Sequence, residues 1–260
     1  MSKILIIGSG HSGGMAAIIL RQKRFFGSIT IIGDEKYPPY ERPPLSKDFL
    51  YDQKNIDRLF LKKGEFYTKN NINLILGTTV EVIDREKKYV TTSKGLNFDY
   101  DILIIATGSK IVELENTPMN DSLSYLRTIE DSNQIASLIK KDKSLTIIGS
   151  GYIGLEIAAT AAKKRMEVTI IEAEDKVMSR VTSSEISNFL QAKHEEHGVK
   201  FIFNTYVSKV NNKNTIILGD SSRIKTDVIV IGIGIIPDID IAYSCGLDCD
   251  DGINVDENCI

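Results

Sequence analysis

Apolar residues in this chain gather in short runs that end in glycine or in an acid. Residues 3–7 (Lys-Ile-Leu-Ile-Ile) read as a buried strand that enters Gly8-x-Gly10-x-x-Gly13, and residues 15–20 open an apolar helix. A second run, residues 28–32, ends in Gly33-Asp34-Glu35. Residues 144–148 repeat the first strand and turn into Gly149-x-Gly151-Tyr152-Ile153-Gly154, and residues 167–171 end in Glu172. The closing runs echo each other as well. Residues 102–105 lead into Ala106-Thr107-Gly108, and residues 228–231 lead into Gly232-x-Gly234. The pattern predicts two βαβ units, each with a small antiparallel insertion and a returning buried strand.

Between these landmarks the signal is weaker. Four of the six prolines lie in residues 36–47, which predicts a stiff, ordered loop in place of a regular element. Residues 48–70 read as mixed helix and turn. Short strands follow at 73–76, 79–83 and 89–92 in the first unit, and around 200–203, 207–210 and 215–218 in the second. Ser183 and Ser184 can cap a helix that carries Ile186, Phe189 and Leu190 on one face and stops at Gly198.

The glycines specify chemistry. In such a loop the first glycine permits a tight turn, the second lets a pyrophosphate approach bare backbone, and the third packs helix on strand. The helix N-terminus adds free N–H groups and a partial positive charge. A carboxylate at the end of the second strand, Asp34 or Glu35 in one unit and Glu172 in the other, fits ribose recognition. Two such sites in one chain point to two dinucleotides, a bound flavin and a diffusible nicotinamide.

Composition narrows the class. With 42% apolar and 26% charged residues in 260, the chain can bury ordinary cores in one or two domains. Its net charge of -3 and lack of a basic block give no sign of a nucleic-acid partner. No apolar run approaches the ~20 residues that span a bilayer, and because the sequence goes directly into its first strand no secretory leader is expected. Three cysteines, Cys245, Cys249 and Cys259, crowd the C-terminal end, which fits a reducing cytoplasm. His194 and His197 stand three apart without a third ligand, so no metal site is expected.

With Tyr40-Glu41-Arg42-Pro43-Pro44-Leu45-Ser46-Lys47 added, the whole chain resembles the NADH-dependent ferredoxin reductases, a family that includes putidaredoxin and rubredoxin reductases; apoptosis-inducing factor is similar. Further matches are Ala106-Thr107-Gly108, Leu126-Arg127-Thr128 followed by Asp131, the second glycine loop with Glu156, and Gly232-x-Gly234-x-x-Pro237. The resemblance implies an α/β fold of two Rossmann-like units. An FAD-binding unit would comprise residues 1–110 and 235–260, and an NAD-binding unit residues 111–234.

By the same resemblance Gly8, Gly10, Ser12, Gly13, Asp34 or Glu35, Arg42, Lys47, Val80, Ala106, Thr107, Gly108 and Arg127 would contact flavin. Gly149, Gly151, Tyr152, Ile153, Gly154, Glu172, Gly232 and Gly234 would contact the nicotinamide cofactor. Lys47 and Glu156 would form the catalytic pair beside the flavin ring, buried and drawn from different units. Hydride would pass from NADH to flavin N5, and single electrons would leave for a small ferredoxin- or rubredoxin-type protein. An NADH oxidase, the reductase module of a nitrite reductase and a non-catalytic NADH sensor are the alternatives. A family member would continue beyond residue 260 into a further flavin-binding segment and a C-terminal interface domain, so the chain reads as a fragment of such an enzyme.

Overall fold

The computed structural model describes residues 2–52, 55–115, 117, 118, 120–211 and 213–260. The chain divides into two units. The first takes Met1–Arg42, Asn55–Lys110 and Ile236–Ile260, and the second takes Pro43–Lys54 and Ile111–Ile235.

In the first unit four parallel strands lie in the order Ile72–Ile75, Ser28–Ile32, Lys3–Ile7, Ile102–Ile105. The opening strand is apolar at every position after Lys3, because both faces of its sheet are covered. Ile4 and Ile6 pack with Ile29, Ile31, Ala17 and Tyr67, while Leu5 and Ile7 face Ile32, Val80, Val90 and Tyr100. Helix His11–Gln22 follows the glycine loop, and Val80–Asp84, Tyr89–Thr92 and Asn97–Asp99 form the antiparallel insertion.

The second unit repeats this plan with one more strand. Its sheet runs Lys200–Ile202, Glu167–Ile171, Ser144–Ile148, Val228–Ile231, Leu123–Tyr125, all parallel. Helix Tyr152–Lys163 follows the second glycine loop, and Val207–Val210, Thr215–Leu218 and Arg223–Lys225 make the insertion. The outer strand Leu123–Tyr125 is only three residues long, too short for an alternation to announce it.

One sequence expectation changes. The proline loop contains a 3-10 turn, Pro43–Ser46, followed by helix Asp48–Asp52, and this segment groups with the second unit although it falls within residues 1–110. The cause is local burial. Leu45, Phe49 and Leu50 are buried on helices Ile129–Leu138 and Tyr152–Lys163, where Ser132 Oγ donates to Leu45 O at 2.7 Å. On helix Ser184–Glu195 the apolar face is turned outward: Ile186 and Phe189 are exposed. The small Ser187 is buried in their stead, its hydroxyl donating to Val177 O at 2.7 Å.

Candidate functional site

Each unit builds a concave site where its first strand meets its helix. In the first unit Gly8 has φ +111°, and a Cβ there would lie 2.1 Å from the carbonyl oxygen of Ala106. A Cβ on Gly13 would lie 2.0 Å from Gly8 O. Around Gly10, the residue that caps helix His11–Gln22, a Cβ would meet nothing within 4 Å. Two glycines are thus demanded by backbone packing and the third leaves open space at a helix N-terminus, where N–H groups are unpaired. Ser12 is exposed in the first turn of that helix.

A cavity of about 430 Å³ adjoins this loop, lined by Gly8, Asp34, Val80, Thr107, Lys110 and Asp240 among others. The returning tail forms part of its wall. Thr107 Oγ1 donates to Asp238 O at 2.6 Å, and Asp238 N–H donates to Gly108 O at 2.9 Å. Lys110 bridges Asp240 at 2.5 Å and Asp238 at 2.9 Å, and these bonds raise its pKa above the ordinary lysine value. Spacing alone gave no sign of this cluster, since its members lie some 130 residues apart. Just after Asp34 in the chain, Arg42 Nη2 bridges Glu35 Oε1 at 2.7 Å and Nη1 donates to the Tyr40 hydroxyl at 3.1 Å, while that hydroxyl donates to Glu35 Oε2.

The second unit repeats the glycine geometry. Gly149 has φ +100°, with its would-be Cβ 2.4 Å from Gly232 O, and that of Gly154 lies 2.2 Å from Gly149 O. Gly151 again has open space around it and caps helix Tyr152–Lys163. A cavity of about 340 Å³ is lined by Gly151, Tyr152, Glu172, Arg180, Gly232 and Gly234 among others. Tyr152 is exposed and Ile153 partly so. Arg180 was not singled out from the sequence, because it reaches the cavity on an irregular segment with no periodic signal.

Glu172 is fixed against the loop. Its Oε2 accepts from Ser150 N–H at 2.8 Å and Ser150 Oγ at 2.5 Å, and its Oε1 accepts from Glu174 N–H at 3.0 Å. Burial pushes its carboxyl pKa up, but the bonds from Ser150, Glu174 and Ala173 outweigh it and hold the pKa below the ordinary 4.5.

Lys47 and Glu156 do meet. Lys47 Nζ donates to Glu156 Oε1 at 2.6 Å, and Ser46 Oγ donates to the other carboxylate oxygen. The expectation of a buried pair from two units needs correction, however. The Lys47 side chain is 51% exposed and both residues belong to the second unit, because segment Pro43–Lys54 is anchored there. Thr160 Oγ1 adds a bond to Ser46 O at 3.4 Å. Arg127 precedes a capping box in which Thr128 and Asp131 exchange bonds at the start of helix Ile129–Leu138.

The donor set in each unit fits a dinucleotide: a bare-backbone concavity at a helix N-terminus, a cavity of suitable size and a carboxylate on its rim. Among the described residues no cysteine lines either cavity, and no group of three or more His, Cys, Asp or Glu could hold a metal ion. No helix among them is long and apolar enough to cross a membrane.

Comparison with known proteins agrees. A family model described as pyridine nucleotide-disulphide oxidoreductase matches residues 2–260. Rhodocoxin reductase of Rhodococcus erythropolis is 39% identical over 259 residues, 98% of this chain and 61% of that protein. Putidaredoxin reductase of Pseudomonas putida is 36% identical over 98% of this chain and 63% of its own length. The crystal structure of a covalent putidaredoxin reductase–putidaredoxin complex superposes with a TM-score of 0.95 at 34% identity, over 98% of this chain and 64% of that one. The chain therefore spans somewhat under two thirds of the length of these relatives.

Proposed function

Since the chain belongs to the pyridine nucleotide-disulphide oxidoreductase family, we propose that it carries the nucleotide-binding core of an NADH-dependent reductase for a small iron–sulfur protein. The observation that carries this reading is the duplicated glycine frame, in which Gly10 and Gly151 each leave bare backbone at a helix N-terminus. Relatives named as reductases of putidaredoxin, rubredoxin and ferredoxin support the choice of acceptor.

In this reading the first unit holds FAD through Gly8, Gly10, Gly13, Asp34 and Val80, with Arg42 toward its phosphates. The second unit holds NADH through Gly149, Gly151, Gly154 and Glu172. Bound FAD supplies the capacity to take two electrons as hydride and release them singly. Glu172, drawn tight by Ser150, accepts ribose hydroxyls and repels a 2′-phosphate, with Glu174 adjacent in the same cavity rim. Glu156 Oε1 accepts from Lys47 Nζ at 2.6 Å and so orients it, and Ser46 Oγ fixes the carboxylate that does so.

The test is reconstitution with FAD followed by anaerobic addition of nicotinamide cofactor. NADH should bleach the flavin absorbance, NADPH should act about a hundredfold less efficiently because of like-charge repulsion, and added ferredoxin should then become reduced. Equal efficiency with both cofactors would refute the role of Glu172. Failure of NADH to bleach bound flavin would refute the reading as a whole.

A further inference from the structure

The cavity of the first unit is acidic for a place that would receive a diphosphate. Asp34, Glu81, Asp238 and Asp240 line it, and Lys110 is the one cationic side chain among the described residues of its wall. The helix N-terminus at Gly10 favours an anion, whereas uncompensated carboxylates repel one. Two of the four acids come from the distant segment Ile236–Ile260, which groups with this unit. Lys110 meets both of them, Asp238 at 2.9 Å and Asp240 at 2.5 Å.

These two acids differ in how freely they can move. The backbone of Asp238 is fixed twice, its N–H donating to Gly108 O at 2.9 Å and its C=O accepting from Thr107 Oγ1 at 2.6 Å. Its side chain is 28% exposed, so the carboxylate stays at the wall. Asp240 opens helix Asp240–Ser244 with its side chain 79% exposed, and water screens it whether or not a lysine is near. The helix has its own anchor. Ala242 is fully buried, and Ile241 packs on the cluster of Leu5, Ile7, Val80 and Val90. Docking of the segment therefore does not depend on Lys110.

We propose that Lys110 is a positioning residue that neutralises the fixed carboxylate of Asp238, which would otherwise repel an anionic dinucleotide from the cavity, and that Asp240 merely steadies the lysine. The inference rests on the reading of the first unit as the FAD site. It gives Lys110 an electrostatic role in place of a tethering one, and it makes unequal partners of two acids that both touch the same ammonium group.

The experiment titrates FAD into the full chain, followed by flavin fluorescence, at about 10 mM and about 1 M salt, where the screening length falls from ~30 to ~3 Å. Lys110→Met should weaken FAD about tenfold at low salt and less than about twofold at high salt. Adding Asp238→Asn should bring low-salt affinity back to within about twofold of the unsubstituted protein, whereas adding Asp240→Asn should leave most of the loss in place. The thermal midpoint of the cofactor-free Lys110→Met protein should stay within about 3 °C of the original, because ion pairs this exposed add little to folding. Should Lys110→Met fail to fold, Asp238→Asn alone decides: it leaves the lysine uncompensated and should tighten FAD at low salt. No loss in Lys110→Met, a loss of equal size at both salts, rescue by Asp240→Asn as full as by Asp238→Asn, or weaker FAD binding in Asp238→Asn would overturn the assignment while leaving the FAD site standing. Absence of FAD binding to the unsubstituted protein would overturn both.

Discussion

The two nucleotide units share a glycine frame to within a few tenths of an ångström in the contacts that exclude a side chain, yet differ in the residues around it. Gly8 and Gly149 would clash with the carbonyls of Ala106 and Gly232 at 2.1 and 2.4 Å, and Gly13 and Gly154 with those of Gly8 and Gly149 at 2.0 and 2.2 Å. The acid that accompanies the frame does not repeat. In the second unit it leaves the strand at once as Glu172, whereas in the first that place is a glycine pressed on Ser9. Backbone packing fixes the phosphate end of such a site, and the sugar end is free to be rebuilt from whichever side chain has room. The sheets differ too. Val228–Ile231 is buried at every position beneath the outer strand Leu123–Tyr125, while Ile102–Ile105 forms an edge whose residues are exposed or half-buried.

The sharpest way to break the likeness is through the packing glycines. Gly8→Ala and Gly149→Ala each force a Cβ into a positive-φ backbone and a carbonyl oxygen. Each should destabilise its unit by about 3 kcal/mol, read as a fall in thermal midpoint of roughly 10 °C. A substitution tolerated in one unit and not in the other would show that the shared frame is only apparent.

The sheets predict an asymmetric effect, as large as that of the glycines in one unit and about half in the other. Ile231 is 2% exposed and its counterpart Ile105 is half-buried. Ile231→Ala should cost about 3 kcal/mol and Ile105→Ala about half of that, as measured by chemical denaturation. Equal losses would mean that the edge of the first sheet is as well covered as the interior of the second.

The weakest effect concerns the acid itself. The pKa of Glu172 is lower in the folded protein than its ordinary 4.5, so its contribution to stability is full above that value and fades as pH falls through the folded one. The stability gap between the protein and Glu172→Gln should therefore be present at neutral pH and close in acid. A gap that widens on acidification would reverse the sign of the assigned bonds.

Much of this was legible in the sequence because it is local. Strands read from isoleucine runs, and glycine loops read from spacing, since turn geometry depends on neighbours in the chain. What resisted reading is long-range. Ser46 and Glu156 are 110 residues apart, and nothing in a proline-rich loop says which unit will bury Leu45 and Leu50. The exposure of Ile186 and Phe189 was not legible for a related reason: helical spacing names a shared face but not whether that face is buried. Asp34 and Glu35 are adjacent in the chain, and spacing does not show that Arg42 and Tyr40 engage Glu35 while Asp34 lines the cavity.

The central claim is that each unit binds its own dinucleotide at the open glycine of its loop, and a crossed pair of substitutions tests it most directly. Gly10→Ala and Gly151→Ala add a methyl group to empty space, so each should leave folding stability within about 0.5 kcal/mol. Binding titrations with FAD and with NADH should then separate the two sites. Gly10→Ala should weaken FAD by tenfold or more, on the order of the cost of one displaced phosphate contact, and leave NADH unchanged, and Gly151→Ala should do the reverse. Loss of both ligands in either variant, or of neither in both, would contradict the account.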